Sequence, residues 1–416
     1  MKIRSITYFC NPGWPLDEKT LRAAGEFLAK AKSAYEAAGY EIQTARLATI
    51  PFPNLLKGKI NETPKLAEAL SKLLPQIGIA YASLGPALTG SPESYAVIPE
   101  AIAASENIFF GGKMTSRTDG KPSDSKIHLS AVRACAEVIA QCAPLDPNGF
   151  ANLRFAALAN VPPGAPFFPA AYWDKDEPAF AIATEAADLA VEAFTGRQTI
   201  DPSTSLRASD GRRWLIAEIE KHGRQIARIA DLLPCPFAGI DFSLAPFPDD
   251  AHSLGNAVEQ MGIPKIGLHG SLAAAALLTE AVDRADFPHT GFSGFMQPVL
   301  EDSVLAKRAA EGTLTIKDLL LYSAVCGTGL DTVPLPWDTT VEQLTPLLLD
   351  LSALALRLNK PLTARLMPVP GRKAGDDTTF DFGFFANSKV MSLEAEKLGG
   401  AFSGDAVISL SHWRPR

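Results

Sequence analysis

Apolar runs of strand length alternate with stretches of helical periodicity along the whole 416-residue chain. The pattern predicts strands over residues 2–9, 41–50, 78–83, 107–111 and 154–158. Between them it predicts helices over 16–38, 64–74, 93–104 and 127–141. Residues 161–169 then carry four prolines in nine positions, which excludes regular helix and marks an ordered loop. Phe167, Phe168, Tyr172 and Trp173 in and beside that loop are available to wall a pocket or to anchor it on the core. Beyond it, helices are expected over 179–194, 212–232, 253–261, 271–283, 303–311, 316–323 and 341–358, and strands over 237–244, 362–369 and 380–384. No composition shift or flexible linker divides the series. The expectation is one α/β domain spanning 1–416, with roughly ten strands in a large barrel or a wide sheet.

Composition narrows the function classes. With 47% hydrophobic and 20% charged residues, the chain can bury a large core. A net charge of −7 without any Lys/Arg run argues against nucleic acid as a partner, since phosphate neutralisation needs concentrated positive charge. No uninterrupted apolar run reaches the roughly 18 residues of a membrane span, and Met1–Cys10 reads as a strand rather than a signal peptide. A cytoplasmic protein with no membrane partner is expected, with a homo-oligomer as the base-rate assembly. The five cysteines are scattered and odd in number, so free thiols are expected and no metal site.

Chemistry concentrates where strand-like runs end in small or polar residues, because ligands in α/β folds collect at such ends. Cys326 stands in a turn bracketed by Gly327 and Gly329, with Asp331 following. Glycines there admit special backbone conformations and close ligand approach, and the thiol is an intrinsic nucleophile; equally, a cysteine beside glycines fills a tight buried turn as a small hydrophobe. His269, before Gly270 and the expected N-cap Ser271, has the chemistry of a general base for that thiol, or of a histidine bonded to a nearby carbonyl. Asp241 and Ser243 share one face of a strand, so Asp241 or Asp331 becomes the orienting carboxylate; both also suit turn-capping. Arg365 is placed to hold an anionic substrate or to pair with an internal carboxylate. The other histidines read as surface residues, and no phosphate-binding glycine loop stands out.

Ile3–Thr7, Asp241–Pro246, Gly267–Leu278 and Val325–Pro334 with Asp338 and Thr339 together resemble uncharacterised protein family 0210, also described as domain of unknown function 711. In the weaker middle of the match, Asn160 resembles the family's asparagine-containing loop and joins the substrate-binding candidates Ser243, Gly270, Ser271, Gly327, Gly329 and Arg365. The resemblance implies a ten-stranded α/β barrel similar to that of the glycyl radical enzymes, in which a loop cysteine carries a thiyl radical; Cys326 resembles that cysteine. The tail Lys397–Val407 lacks the radical-storing glycine signature. The expectation is therefore a non-radical enzyme using Cys326, His269, Asp241 and Asp331 on a small polar metabolite, cofactor unknown. The alternative is a non-catalytic metabolite-binding or regulatory protein.

Overall fold

The computed structural model describes residues 1–117, 125–195 and 208–412. Its strands are β1 (Lys2–Cys10), β2 (Ile42–Thr49), β3 (Tyr81–Ala87), β4 (Ile108–Lys113), β5 (Thr115–Arg117), β6 (Ser125–His128), β7 (Phe155–Ala159), β8 (Ala179–Glu185), β9 (Phe237–Asp241), β10 (Ser243–Leu244), β11 (Gly294–Phe295), β12 (Gly329–Pro336), β13 (Leu362–Val369) and β14 (Val407–Ser409). Nine of them form one sheet in the order β12-β13-β7-β4-β3-β2-β1-β8-β9. The run from β7 to β1 is parallel throughout. β8 lies antiparallel on β1 and carries β9 in parallel, and β13 lies antiparallel on β7 and carries β12 in parallel.

Parallel neighbours need crossovers, and amphipathic helices supply them. Helix Glu18–Ala37 begins at Asp17, whose side chain caps Lys19 N–H, and it buries Leu21, Ala24, Leu28, Ala31 and Tyr35 at helical spacing against the sheet. Helix Val341–Leu358 starts with a Thr340/Gln343 capping box and joins β12 to β13. No described helix is long and apolar enough to cross a membrane.

Three expectations change here. The helix predicted over 179–194 is strand β8 followed by helix Ala187–Phe194. Its alanine-rich start fits either periodicity, and burial of every β8 residue between β1 and β9 selects the strand. Residues 380–384 form no strand; Phe380, Phe382 and Phe385 instead cluster on Phe150. The third is the closed barrel, since the continuous ladder is an open sheet with β9 and β12 as edges.

Between those edges lie the parallel pair β10–β11 and two isolated parallel bridges, Ile240–His289 on β9 and Pro298–Asp331 on β12. The sheet is nonetheless strongly curled. In a flat sheet the five spacings from β13 to β1, at about 4.8 Å each, would separate them by roughly 24 Å. Yet Arg4 of β1 and Arg365 of β13 bind the same carboxylate, Glu301.

The turn that leads into β12 depends on close backbone contact. Gly329 has φ +108°, and a Cβ there would stand 2.4 Å from the Thr363 carbonyl oxygen on β13. Gly329→Ala is expected to cost about 1–3 kcal/mol from backbone strain alone, read as a lowered urea midpoint. Gly90→Ala, at a position with open space, serves as the neutral control. Equal midpoints for the two variants would contradict this account of the turn.

Candidate functional site

The curled sheet borders a partly open cavity of about 630 Å³. It lies at the N-terminal ends of β1 to β4 and the C-terminal ends of β8 and β9, since β8 and β9 run opposite to the central strands. Arg4, Arg46, Asp241, Ser243, Glu301, Asp331 and Arg365 line it together with Phe167 and Phe168 of the proline-rich loop.

A chain of ion pairs crosses the wall. Arg4 bonds Glu185 at 3.2 Å and Glu301 at 2.5 Å, and Arg365 bonds Glu301 at 2.7 Å and Asp331 at 2.5 Å. Gln43 adds a hydrogen bond to Glu185 at 2.9 Å. Arg365 therefore holds internal carboxylates. Burial opposes charge on Glu301, but Arg4 and Arg365 outweigh it and hold that carboxyl below its ordinary range. For Asp331 burial dominates over Arg365, and with Glu301 nearby its carboxyl is pushed up. Asp331 Oδ2 has no hydrogen-bond partner, whereas Oδ1 accepts from Arg365.

Backbone irregularities aim two of these groups. The register of β1 shifts between Ile3 and Ser5, flanking Arg4, and that of β12 shifts between Leu330 and Val333, flanking Asp331. Thr332 beside Asp331 has φ +42°. Bulges re-aim single side chains, and left-handed non-glycine residues gather at functional sites.

Arg46 differs from the other arginines. Its Nε donates to Thr44 Oγ1 at 2.8 Å, and its guanidinium lies 5.1 Å from the Phe168 ring centre and 5.9 Å from that of Tyr81. No carboxylate among the described residues pairs with it. Burial, then the like charge of Arg4, lowers its pKa to about 9, so it remains charged at neutral pH.

The structure distributes the sequence candidates over separate places. Asp241 and Ser243 border the main cavity, but Asp241 also pins a turn: it accepts from Phe292 N–H and Ser293 N–H, both at 2.9 Å, and from Ser243 Oγ at 2.6 Å. Burial pushes its carboxyl up. Gly291, at φ +65°, is required there because a Cβ would meet Asp241 Oδ2 at 2.3 Å. Cys326, 1% exposed, borders a different cavity of about 440 Å³ with Gly327 and Lys360. Its Sγ accepts from Gly329 N–H at 3.3 Å, and its carbonyl accepts from Lys360 Nζ. Gly327 and Gly329 serve backbone packing: a Cβ at Gly327 would stand 3.0 Å from Ser293 O.

His269 and Gly270 are exposed. No hydrogen bond joins His269 to Cys326, and no described cavity is lined by both. Ser271 does not cap its helix; Gly270 takes that position at φ +106°, while Ser271 Oγ accepts from Gly267 N–H at 3.1 Å and donates to Leu268 O. Asn160 borders a third cavity, of about 660 Å³, and donates from Nδ2 to Lys360 O. Among the described residues no group of three or more His, Cys, Asp or Glu side chains could hold a metal.

Sequence reasoning passed over Arg4, Arg46, Glu185 and Glu301. The available signal was a charge inside a strand-length apolar run, as in Ile3-Arg4-Ser5-Ile6 and Ala45-Arg46-Leu47.

A family profile described as an uncharacterised conserved region, DUF711, matches residues 1–388. A UPF0210 protein of Pyrobaculum islandicum is 31% identical over 371 residues, covering 85% of this chain and 79% of the relative. One from Pyrobaculum aerophilum is 33% identical over 352 residues, covering 81% and 76%. One from Acetivibrio thermocellus is 28% identical over 389 residues, covering 90% and 84%.

Two outcomes follow from this geometry. Glu301→Gln takes one of two carboxylate partners from each of Arg4 and Arg365 and is expected to cost about 1.5–3 kcal/mol at pH 7. Because the folded carboxyl is depressed below its unfolded value near 4.3, its stabilisation is present above that value and lost as pH falls through the folded pKa. The gap from wild type in urea melts should thus shrink in acid; a gap independent of pH contradicts the pairing. Iodoacetamide on the native protein should label the partly exposed Cys235 ahead of the buried Cys326. Preferential labelling of Cys326 would restore its place as an activated nucleophile.

Proposed function

The chain belongs to the uncharacterised DUF711 (UPF0210) family, and we propose that it binds a small anionic metabolite inside the curled sheet, with Arg46 as the anchor. The observation that carries this reading is the contrast between the arginines of one cavity: Arg4 and Arg365 are committed to carboxylates, whereas Arg46 faces aromatic rings without a carboxylate. A guanidinium left unpaired at a cavity wall favours a carboxylate or phosphate, which it can take in bidentate geometry. Phe167, Phe168 and Tyr81 supply apolar surface for the remainder of the ligand.

On this reading Asp331, with a raised pKa and an unpartnered oxygen beside the same cavity, is the group suited to proton exchange if the protein is an enzyme. The chemistry proposed is non-radical. We also read β10, β11 and the Pro298–Asp331 bridge as filling the gap between β9 and β12, which makes the architecture a ring of ten strand positions like that of the glycyl radical enzymes. A second reading keeps Cys326 as the reactive group, supported by the hydrogen bond from Gly329 N–H to its sulfur and by Lys360 beside it.

Thermal-shift measurements with small carboxylates and phosphate esters separate the two. The cavity reading predicts a stabilising anion whose shift persists in Cys326→Ser and disappears in Arg46→Met, with both variants folded by circular dichroism. A shift that survives Arg46→Met and vanishes in Cys326→Ser would transfer the function to the thiol.

A further inference from the structure

The third cavity opens at the other end of the sheet from Arg46, where β2, β3, β4 and β7 end. C-terminal ends of parallel strands are the usual ligand position in α/β sheets, because the loops there diverge and leave a crevice. Lys113, the last residue of β4, reaches into this cavity, and its Nζ lies 4.5 Å from the ring centre of Tyr172. The ring covers the ammonium without accepting its protons, and no described residue accepts a hydrogen bond from Nζ or pairs with it. Asp174, at the rim, acts on it at longer range.

Three residues further, on β5, Ser116 Oγ lies 2.7 Å from His128 Nε2 of β6. This places a hydroxyl backed by an imidazole on the lining that Lys113 shares. His128 is thus a half-buried partner of a cavity residue, not the plain surface histidine its sequence context suggested. Thr115 fixes the opposite lip by accepting from Asn160 N–H at 2.8 Å, which holds Asn160 at φ +59° beside the cavity. Arg117 and Lys175 add positive charge at the mouth, partly balanced by Asp174 and Asp176.

We propose that this cavity is a second small-molecule site, one that takes the phosphate or carboxylate group of a hydroxylated metabolite on Lys113 and Ser116. A free ammonium on an aromatic face and a hydroxyl that, by accepting from His128 Nε2–H, keeps its own proton for the ligand together give the anion a charged donor and a neutral one. The site is separate from the Arg46 cavity and does not depend on it.

Isothermal titration of the full chain with glycerol 3-phosphate and with glycerate tests the proposal and tells the two anion types apart. At least one probe is expected to bind at millimolar concentration. Lys113→Met should weaken that binding about tenfold or more, and Arg46→Met should leave it unchanged. Ser116→Ala, which keeps the fold if Lys113→Met does not, should weaken it several-fold. Binding of neither probe, unaltered binding in Lys113→Met or in Ser116→Ala, or loss confined to Arg46→Met would each overturn the second site. The last outcome would place the anion in the Arg46 cavity instead.

Discussion

One buried carboxylate, Glu301, answers two guanidinium groups from strands that stand five places apart in the sheet. Charges withdrawn from water must be paired, and an Arg left alone at either position would face a large desolvation penalty. That requirement ties β1 to β13 across the interior, with Glu185 and Asp331 extending the chain of pairs at each end. The curvature of the sheet brings these groups together beside the partly open space between its halves.

The same network determines which groups remain available for chemistry. Committing Arg4 and Arg365 to carboxylates leaves Arg46 as the wall cation with only a hydroxyl and two aromatic rings beside it. It also produces opposite behaviour in two neighbouring acids: Glu301, between two arginines, is held ionised, while Asp331, with one arginine and deeper burial, is pushed toward its protonated form. Separation of carboxyl affinities by environment is how one site provides both a fixed charge and a proton-exchanging group. The bulges at Arg4 and Asp331 are the backbone counterpart of that division, turning side chains inward from strands whose other residues pack in the core.

The alternation of elements is largely legible in the sequence because each helix has its own apolar stripe and boundary signals. Residues 341–358 illustrate this: a capping box at Thr340 begins the helix and Asn359 at φ +53° ends it. Residues 179–185 are not legible, since a short run rich in alanine carries no period that separates strand from helix; only its burial between two neighbours decides. The candidate site is legible in part. Asp241, Ser243, Asp331 and Arg365 do meet around one cavity. Grouping Cys326 and His269 with them rested on glycine neighbours and strand ends; Gly327 and Gly329 prove to serve close contacts between backbones, and Gly270 opens its helix against the Ile263 side chain. The decisive ion pairs join residues up to 297 positions apart, a relation that no local pattern encodes.

A double-mutant cycle between Arg4→Met and Arg365→Met tests most directly whether Glu301 couples the two strands. Distant sites without a shared partner are additive within about 0.3–0.5 kcal/mol. Through Glu301 the two substitutions should instead be coupled by more than about 1 kcal/mol in urea unfolding at pH 7, and the coupling should disappear in the Glu301→Gln background. Additive effects in the native background would contradict the account, because β1 and β13 would then be held by separate contacts rather than by one carboxylate.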